Sequence, residues 1–121
     1  MSKKIYKIVD REVWDEAKEQ GSFKGAGIDL IDQYIHFSTA QQVAETAAKH
    51  FVGQANLLLV EVDTKSLGPD LKWETSRGGS LFPHLYADLP MSAVSHVAEL
   101  PIDDNGIHIF PKDMPVLDQQ E

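Results

Sequence analysis

The sequence contains no cysteine. This absence excludes disulfide bonds, thiolate nucleophiles and zinc sites built from cysteine. Histidine, aspartate and glutamate are therefore the only strong metal ligands that the chain offers. A cysteine-free chain is also compatible with a reducing cytoplasm.

Arginine is scarce and long apolar runs are missing. The 121 residues carry a net charge of −8, and Arg11 and Arg77 are the only arginines. Because nonspecific binding to duplex nucleic acid depends on cations that neutralise phosphates, we expect no such partner. The longest apolar run, Leu57 to Val60, is too short to cross a bilayer, and the N-terminal stretch lacks the apolar core of a signal peptide. We expect a cytoplasmic protein that has no membrane partner.

Several motifs with a known mechanism are also absent. The chain has no GxGxxG or GxxxxGK pattern, which argues against the common phosphate-binding loops. It has no HExxH and no GxSxG, so neither a zincin nor a nucleophile-elbow hydrolase is indicated. No compact metal-ligand motif is present either, and we expect no metal requirement.

The composition is that of one globular domain. Apolar residues make up 42% and charged residues 25% of the sequence, and a chain of this length suits a single core. Alternation predicts a strand over 5–9. Apolar residues at helical spacing follow this strand and predict a helix, with Asp10 as its N-terminal cap and Gly21 as its C-terminal cap. We assign residues 21–33 to a surface loop that bends at glycines.

The rest of the chain predicts one more helix and then mainly strands. Residues 34–39 indicate a strand, and Ser38 or Thr39 is a natural cap for a second helix over 40–51. The apolar run within 56–63 predicts a strand buried at the centre of a sheet. We expect a single α+β domain over 1–113, with two early helices against a mainly antiparallel sheet, and a polar tail over 114–121. We also expect a monomer.

The strand over 34–39 supplies the first candidate site residues. Alternation sends Ile35 and Phe37 to one face and leaves Tyr34, His36 and Ser38 on the other. A polar row of this kind is harder to explain by packing, so it favours a functional role for His36. The alternative is a histidine that only bonds to a backbone carbonyl.

A second candidate surface lies in the sequence LFPHLY. Phe82, His84 and Tyr86 share one face of this strand, while Leu85 faces the opposite side. An imidazole and a phenol beside an aromatic ring could stack a planar ligand and hydrogen-bond its edge. The alternative is an edge strand whose rings cover a helix.

Between these strands, LKWETSRGG offers a carboxylate and a guanidinium near a turn. We expect Trp73 in the core, Glu74 pointing away from it, and Arg77 either clamping an anionic group or forming a surface ion pair. We predict that these side chains form one site on a concave face, with catalytic and ligand-binding residues. Its catalytic candidates are His36, Glu74 and His84, and its ligand-binding candidates are Ser38, Arg77 and Tyr86.

Three segments together resemble the small proteins grouped as domain of unknown function 952. These are DLIDQYIHFSTAQQ, LKWETSRGG and FPHLYADLP, and the resemblance spans roughly residues 4 to 110. Gln33 departs from it, because a glycine is expected before the aromatic residue. The resemblance implies an ADP-ribosyltransferase-like fold, and the opening of the chain is also similar to RNA 2′-phosphotransferases.

That superfamily implies roles for individual positions. His36 matches a ligand-contacting histidine, whereas Lys7 or a neighbour stands in place of another histidine on the first strand. A glutamate is expected on a later strand. His84 stands there instead, which leaves Glu74 as a substitute from the adjacent strand.

We therefore expect a small-molecule ligand that is nucleotide-like or otherwise phosphorylated, and a transferase of the ADP-ribosyl or 2′-phosphotransferase type. A noncatalytic module that uses the same cleft is one alternative. A metal-dependent hydrolase built on His36, His84 and Glu74 is another. The sequence identifies no cofactor.

Overall fold

A computed structural model describes residues 3–75 and 79–111. Arg77 and the predicted tail over 114–121 lie outside the described residues. The helices and strands, in chain order, are β1 (Lys4–Asp10), α1 (Arg11–Gln20), β2 (Ser22–Phe23), α2 (Ile28–Asp32), β3 (Ile35–His36), β4 (Ser38–Thr39), α3 (Val43–His50), β5 (Leu57–Asp63), β6 (Leu71–Thr75), β7 (Leu81–Leu85), β8 (Leu89–Pro90) and β9 (Val94–Leu100). The chain is a single small α+β domain.

The strands form three sheets with the orders β4-β1-β5-β9, β3-β7-β6 and β2-β8. Every strand pair within the described ranges is antiparallel. Strand β5 pairs with β1 on one side and β9 on the other, and Leu57 to Val60 are all buried. The prediction of a central strand here is confirmed.

The first helix forms as its sequence predicts. The Asp10 carboxylate accepts a hydrogen bond from the Glu12 N–H at 2.9 Å, which satisfies one of the free donors at the helix start. The helix ends at Gly21, whose φ of 86° lets its N–H reach the carbonyls of Ala17 and Lys18. Trp14 and Ala17 carry the buried stripe.

The prediction of a plain loop over 21–33 is wrong, because it contains the short helix α2. This helix has no apolar stripe facing the core: Ile28, Leu30 and Ile31 are exposed and Asp29 is its buried residue. Amphipathic periodicity could not reveal a helix that buries a carboxylate.

Residues 34–39 also differ from the prediction of one strand. Ile35 and His36 pair with β7, whereas Ser38 and Thr39 pair with β1 in the other sheet. Between them, the Phe37 N–H donates to the Pro83 carbonyl at 3.0 Å. The chain therefore crosses from one sheet to the other within five residues, which leaves two short strands instead of one.

The second predicted helix starts later than expected, at Val43. Its N-cap residue, Gln42, makes no side-chain capping bond. The Gln42 N–H instead donates to the Thr39 hydroxyl at 3.2 Å, so Thr39 stabilises the turn before the helix.

The core lies on both faces of the four-stranded sheet. Tyr6 and Leu59 belong to the cluster that packs against α3, while Ile5 and Val60 belong to the cluster that contains Trp14. Ile35 and Leu85 also join the second cluster, so one face of the sheet β3-β7-β6 is buried there. The opposite face of that small sheet is left to carry the polar side chains.

Trp73 does not lie in the core, contrary to expectation. It is 36% exposed, and the Lys3 ammonium stands 4.7 Å from the centre of its ring. Strand β6 is an edge strand of its sheet, so the core covers its side chains incompletely. Within residues 3–75 and 79–111, no helix has the length and apolar composition that a bilayer crossing requires.

Candidate functional site

Two histidines face each other across neighbouring strands. His36 of β3 is directly opposite His84 of β7 in the antiparallel register. Directly opposed residues project their side chains on the same face of a sheet, so the two imidazoles meet. Their ring centres lie 5.4 Å apart in an edge-to-face arrangement.

A tyrosine joins these histidines into a larger cluster. The Tyr34 ring lies 4.6 Å from His36, 4.3 Å from His84 and 5.0 Å from Tyr86, measured between ring centres. We call Tyr34, His36, His84 and Tyr86 the ring cluster. Sequence reasoning placed Tyr34 on the face of His36 but did not select it. A central ring that touches three others holds them together through favourable tilted contacts.

Glu74 bonds two members of the ring cluster through one oxygen. Its Oε1 accepts a hydrogen bond from the Tyr86 hydroxyl at 2.8 Å and lies 2.7 Å from His84 Nδ1. The bonds from His84 and Tyr86 hold the pKa of Glu74 below its ordinary value. The same hydrogen bond to Glu74 raises the pKa of Tyr86 to about 12. At neutral pH the site therefore contains a carboxylate anion and a phenol that remains a donor.

His36 is held by two carboxylates of helix α2. Its Nδ1 lies 2.5 Å from Asp29 Oδ1, and its Nε2 lies 3.0 Å from Asp32 Oδ2. Asp29 also accepts the backbone N–H of His36 at 3.1 Å. Sequence reasoning missed both aspartates, although two carboxylates shortly before a candidate histidine were a usable sign.

Asp29 is fully buried and bonded on every side. Its Oδ2 lies 2.7 Å from the Lys7 ammonium and accepts the Ala26 N–H at 3.1 Å. Burial by itself would raise the pKa of Asp29, but the hydrogen bond to His36 and the Lys7 charge outweigh it and lower the pKa to about 2. Asp29 therefore links the Lys7 ammonium on β1 to His36 on β3.

The remaining candidates fall outside this arrangement. The Ser38 hydroxyl is buried and lies 2.9 Å from the Thr46 hydroxyl on α3, and it makes no hydrogen bond to the ring cluster or to Glu74 within the described ranges. Arg77 lies outside the described residues, so its role stays a prediction. The structure brings together His36, Glu74, His84 and Tyr86.

A groove of about 290 Å³ runs beside the ring cluster. Tyr34 and Tyr86 line it together with Lys24, Gln33 and Asp88. The Lys24 ammonium and the Asp88 carboxylate form an ion pair of 2.9 Å within this lining. The groove is slightly smaller than the range of about 300 to 1,000 Å³ that ligand sites usually occupy. It suits a nucleoside-sized ligand better than a whole dinucleotide.

The described histidines and carboxylates of the site do not form a metal-binding group. Among the residues that the structure describes, no three histidine, aspartate or glutamate side chains are placed to hold a metal ion together. His36 and His84 instead each direct a ring nitrogen to a carboxylate. This arrangement orients an imidazole for hydrogen bonding.

Comparison with known families and structures identifies the group to which the chain belongs. Residues 8–97 match the family described as "Protein of unknown function (DUF952)", and the chain belongs to this family. The X-ray crystal structure of protein CC0527 from Caulobacter crescentus is 53% identical, with a TM-score of 0.85, and the match covers 88% of this chain and 93% of that one. Its solution NMR structure is 54% identical with a TM-score of 0.78, covering 86% and 90%. No curated protein matches the chain.

Proposed function

We propose that the protein binds a small nucleotide-like or otherwise phosphorylated ligand in the groove. The observation that carries this proposal is an aromatic wall, formed by Tyr34 and Tyr86, along the groove. Tyr86 is 41% exposed, and with Tyr34 it presents rings to the groove. Aromatic side chains stack planar bases, and each such contact contributes about 1–3 kcal/mol. Lys24 in the lining and Arg77 are the proposed partners of the ligand's anionic group.

The proposed chemistry uses the two imidazole–carboxylate pairs, His36–Asp29 and His84–Glu74. A histidine that bonds a carboxylate through Nδ1 presents Nε2 as its reactive nitrogen. In His36 that nitrogen already faces Asp32, whereas His84 Nε2 has no hydrogen-bond partner within the described ranges. His84 is therefore the better acid or base.

Glu74 supplies the negative charge that the proposed transfer needs. Transfer of ADP-ribose passes through a cation-like sugar, which a fixed carboxylate stabilises. Glu74 lies on β6, beside the strand that carries His84, and its lowered pKa keeps it ionised. These features support a transferase of the ADP-ribosyl or 2′-phosphotransferase type on an ADP-ribosyltransferase-like fold.

One observation favours a second candidate function, a noncatalytic ligand-binding module. The Tyr34 ring packs 4.3 Å from His84, and His84 is only 4% exposed. The imidazole best placed for proton transfer is thus covered by a side chain. A ligand that stacks on Tyr34 and Tyr86 would not need to reach it.

Nucleotide binding is the first expected result. With AMP, ADP-ribose or NAD at 100 times its dissociation constant, the bound protein should gain about 2.7 kcal/mol of stability, measured as a thermal shift. Tyr86→Leu should weaken binding by about tenfold, because it removes a stacking ring. Trp73→Leu is the matched control, since Trp73 is an exposed ring outside the groove lining. Absence of binding by the whole panel would show that the proposal is wrong.

Binding and cleavage should separate. Although Glu74 is placed to stabilise a cation, we expect nucleotide binding with at most slow NAD hydrolysis, because His84 is covered and the groove is small for a dinucleotide. Product formation by wild type and by Glu74→Gln would be followed by chromatography. Robust turnover that disappears in Glu74→Gln would contradict this expectation and establish Glu74 as the charge that stabilises the cation.

A further inference from the structure

Gln33 adopts a backbone conformation that glutamine disfavours. Its φ is 69° and its ψ is 28°, which is the left-handed region, at the C-terminal cap of α2. The cap is structurally useful, because the Gln33 N–H donates to the Asp29 carbonyl at 2.8 Å. Glycine is the usual residue at such caps, since any Cβ is strained there. The backbone conformation alone therefore favours glycine at position 33.

The side chain of Gln33 lies where a ligand would contact it. The residue is exposed, lines the groove, and immediately precedes Tyr34 of the aromatic wall. Its carboxamide makes no hydrogen bond to any residue in the described ranges. The cap explains the left-handed backbone, but neither packing nor internal hydrogen bonding explains glutamine there in place of glycine. Strained positions of this kind cluster at ligand sites.

We propose that Gln33 is a recognition residue of the groove, reading the edge of a ring that stacks on Tyr34 and Tyr86. This inference rests on the proposed function. A carboxamide presents an acceptor beside a donor, and this pair matches the N6–H donor and the N7 acceptor of adenine. Hypoxanthine presents two acceptors, O6 and N7, on that edge, so one carboxamide cannot satisfy both. The ligand class assigned to the groove is an adenine nucleotide.

The test compares AMP with inosine monophosphate in wild type and in Gln33→Gly. Wild type should prefer AMP. The variant should bind AMP about tenfold more weakly and lose the preference, because a bidentate contact of this kind typically gives about 5- to 150-fold discrimination. Its melting temperature should rise, since glycine removes the backbone strain. A gain in stability with a loss of affinity is the signature of a side chain selected for binding.

Asn56→Gly is the matched control, because Asn56 is also left-handed, with a φ of 63°, but does not line the groove. Its AMP affinity should equal that of wild type, as measured by calorimetry. If wild type binds AMP and Gln33→Gly binds it equally well with the same preference, the inference is wrong and the proposed function stands. If wild type binds neither nucleotide, both are wrong.

Discussion

Asp29→Asn is expected to lower the free energy of unfolding by about 3–5 kcal/mol. The substitution leaves the Lys7 ammonium, whose side chain is 11% exposed, without its anionic partner. An asparagine side chain has only one acceptor oxygen, whereas Asp29 uses both of its oxygens, so the backbone N–H of either Ala26 or His36 loses its hydrogen bond. Urea denaturation of wild type and variant measures the difference.

Two variants and an acid titration test this explanation. Lys7→Met in the Asp29→Asn background should recover part of the loss, because it removes the unpaired charge. Asp32→Asn should cost less than about 1 kcal/mol, since Asp32 is partly exposed and bonds only the outer side of His36. If Asp29→Asn and Asp32→Asn lower the free energy of unfolding equally, the burial of Asp29 does not explain its contribution to stability.

Acid should remove the contribution of Asp29. Its pKa is about 2 in the folded protein, below the ordinary value of 3.8. The ionised Asp29 carboxylate stabilises the fold at pH values above its ordinary pKa. This contribution of about 2 kcal/mol to the free energy of unfolding disappears as the pH falls from about 4 through 2. Asp29→Asn should show a shallower loss of stability over this interval.

Glu74→Gln is expected to move the pKa of Tyr86 from about 12 toward its ordinary value of 10.0. A neutral amide still accepts a hydrogen bond but no longer repels the phenolate, so ionisation becomes easier. A shift of this size raises the ionisation constant roughly a hundredfold. Ultraviolet absorbance of tyrosinate measures it, with Tyr86→Phe to assign the transition.

Glu61→Gln is the matched control for this titration. Glu61 accepts the hydroxyl of Tyr6 at 3.0 Å in another part of the fold, so its removal should leave Tyr86 unchanged. If Tyr86 ionises near 10 in wild type as well, the hydrogen bond to Glu74 does not persist in solution.

Sequence reasoning succeeded where the controlling interactions are local. The alternation of a strand has a period of two, so it correctly put Tyr34 and His36 on a common face of the first segment, and His84 and Tyr86 on a common face of the second. Likewise, the cap residues Asp10 and Gly21 identified the first helix because capping depends on nearby atoms. These features require no knowledge of which strands pair.

The rest depends on contacts between distant parts of the chain. Only the register of β3 against β7 puts His36 opposite His84, and a shift of one residue would separate them. Only the packing of α2 against β1 shows that Asp29 meets Lys7, because a buried aspartate resembles a surface one in the sequence. Trp73 misled the prediction for the same reason: an edge position is a property of the assembled sheet.

The Asp29 carboxylate fastens three separate segments of a chain that has no cysteine. Through Lys7, Ala26 and His36 it ties the first strand, the glycine-containing loop and the ring cluster to one point. Like a disulfide in a secreted protein, Asp29 links segments that are distant along the chain, but protonation at low pH breaks this link reversibly. The apolar core has no such dependence, so acid should weaken the fold first on the side of the groove.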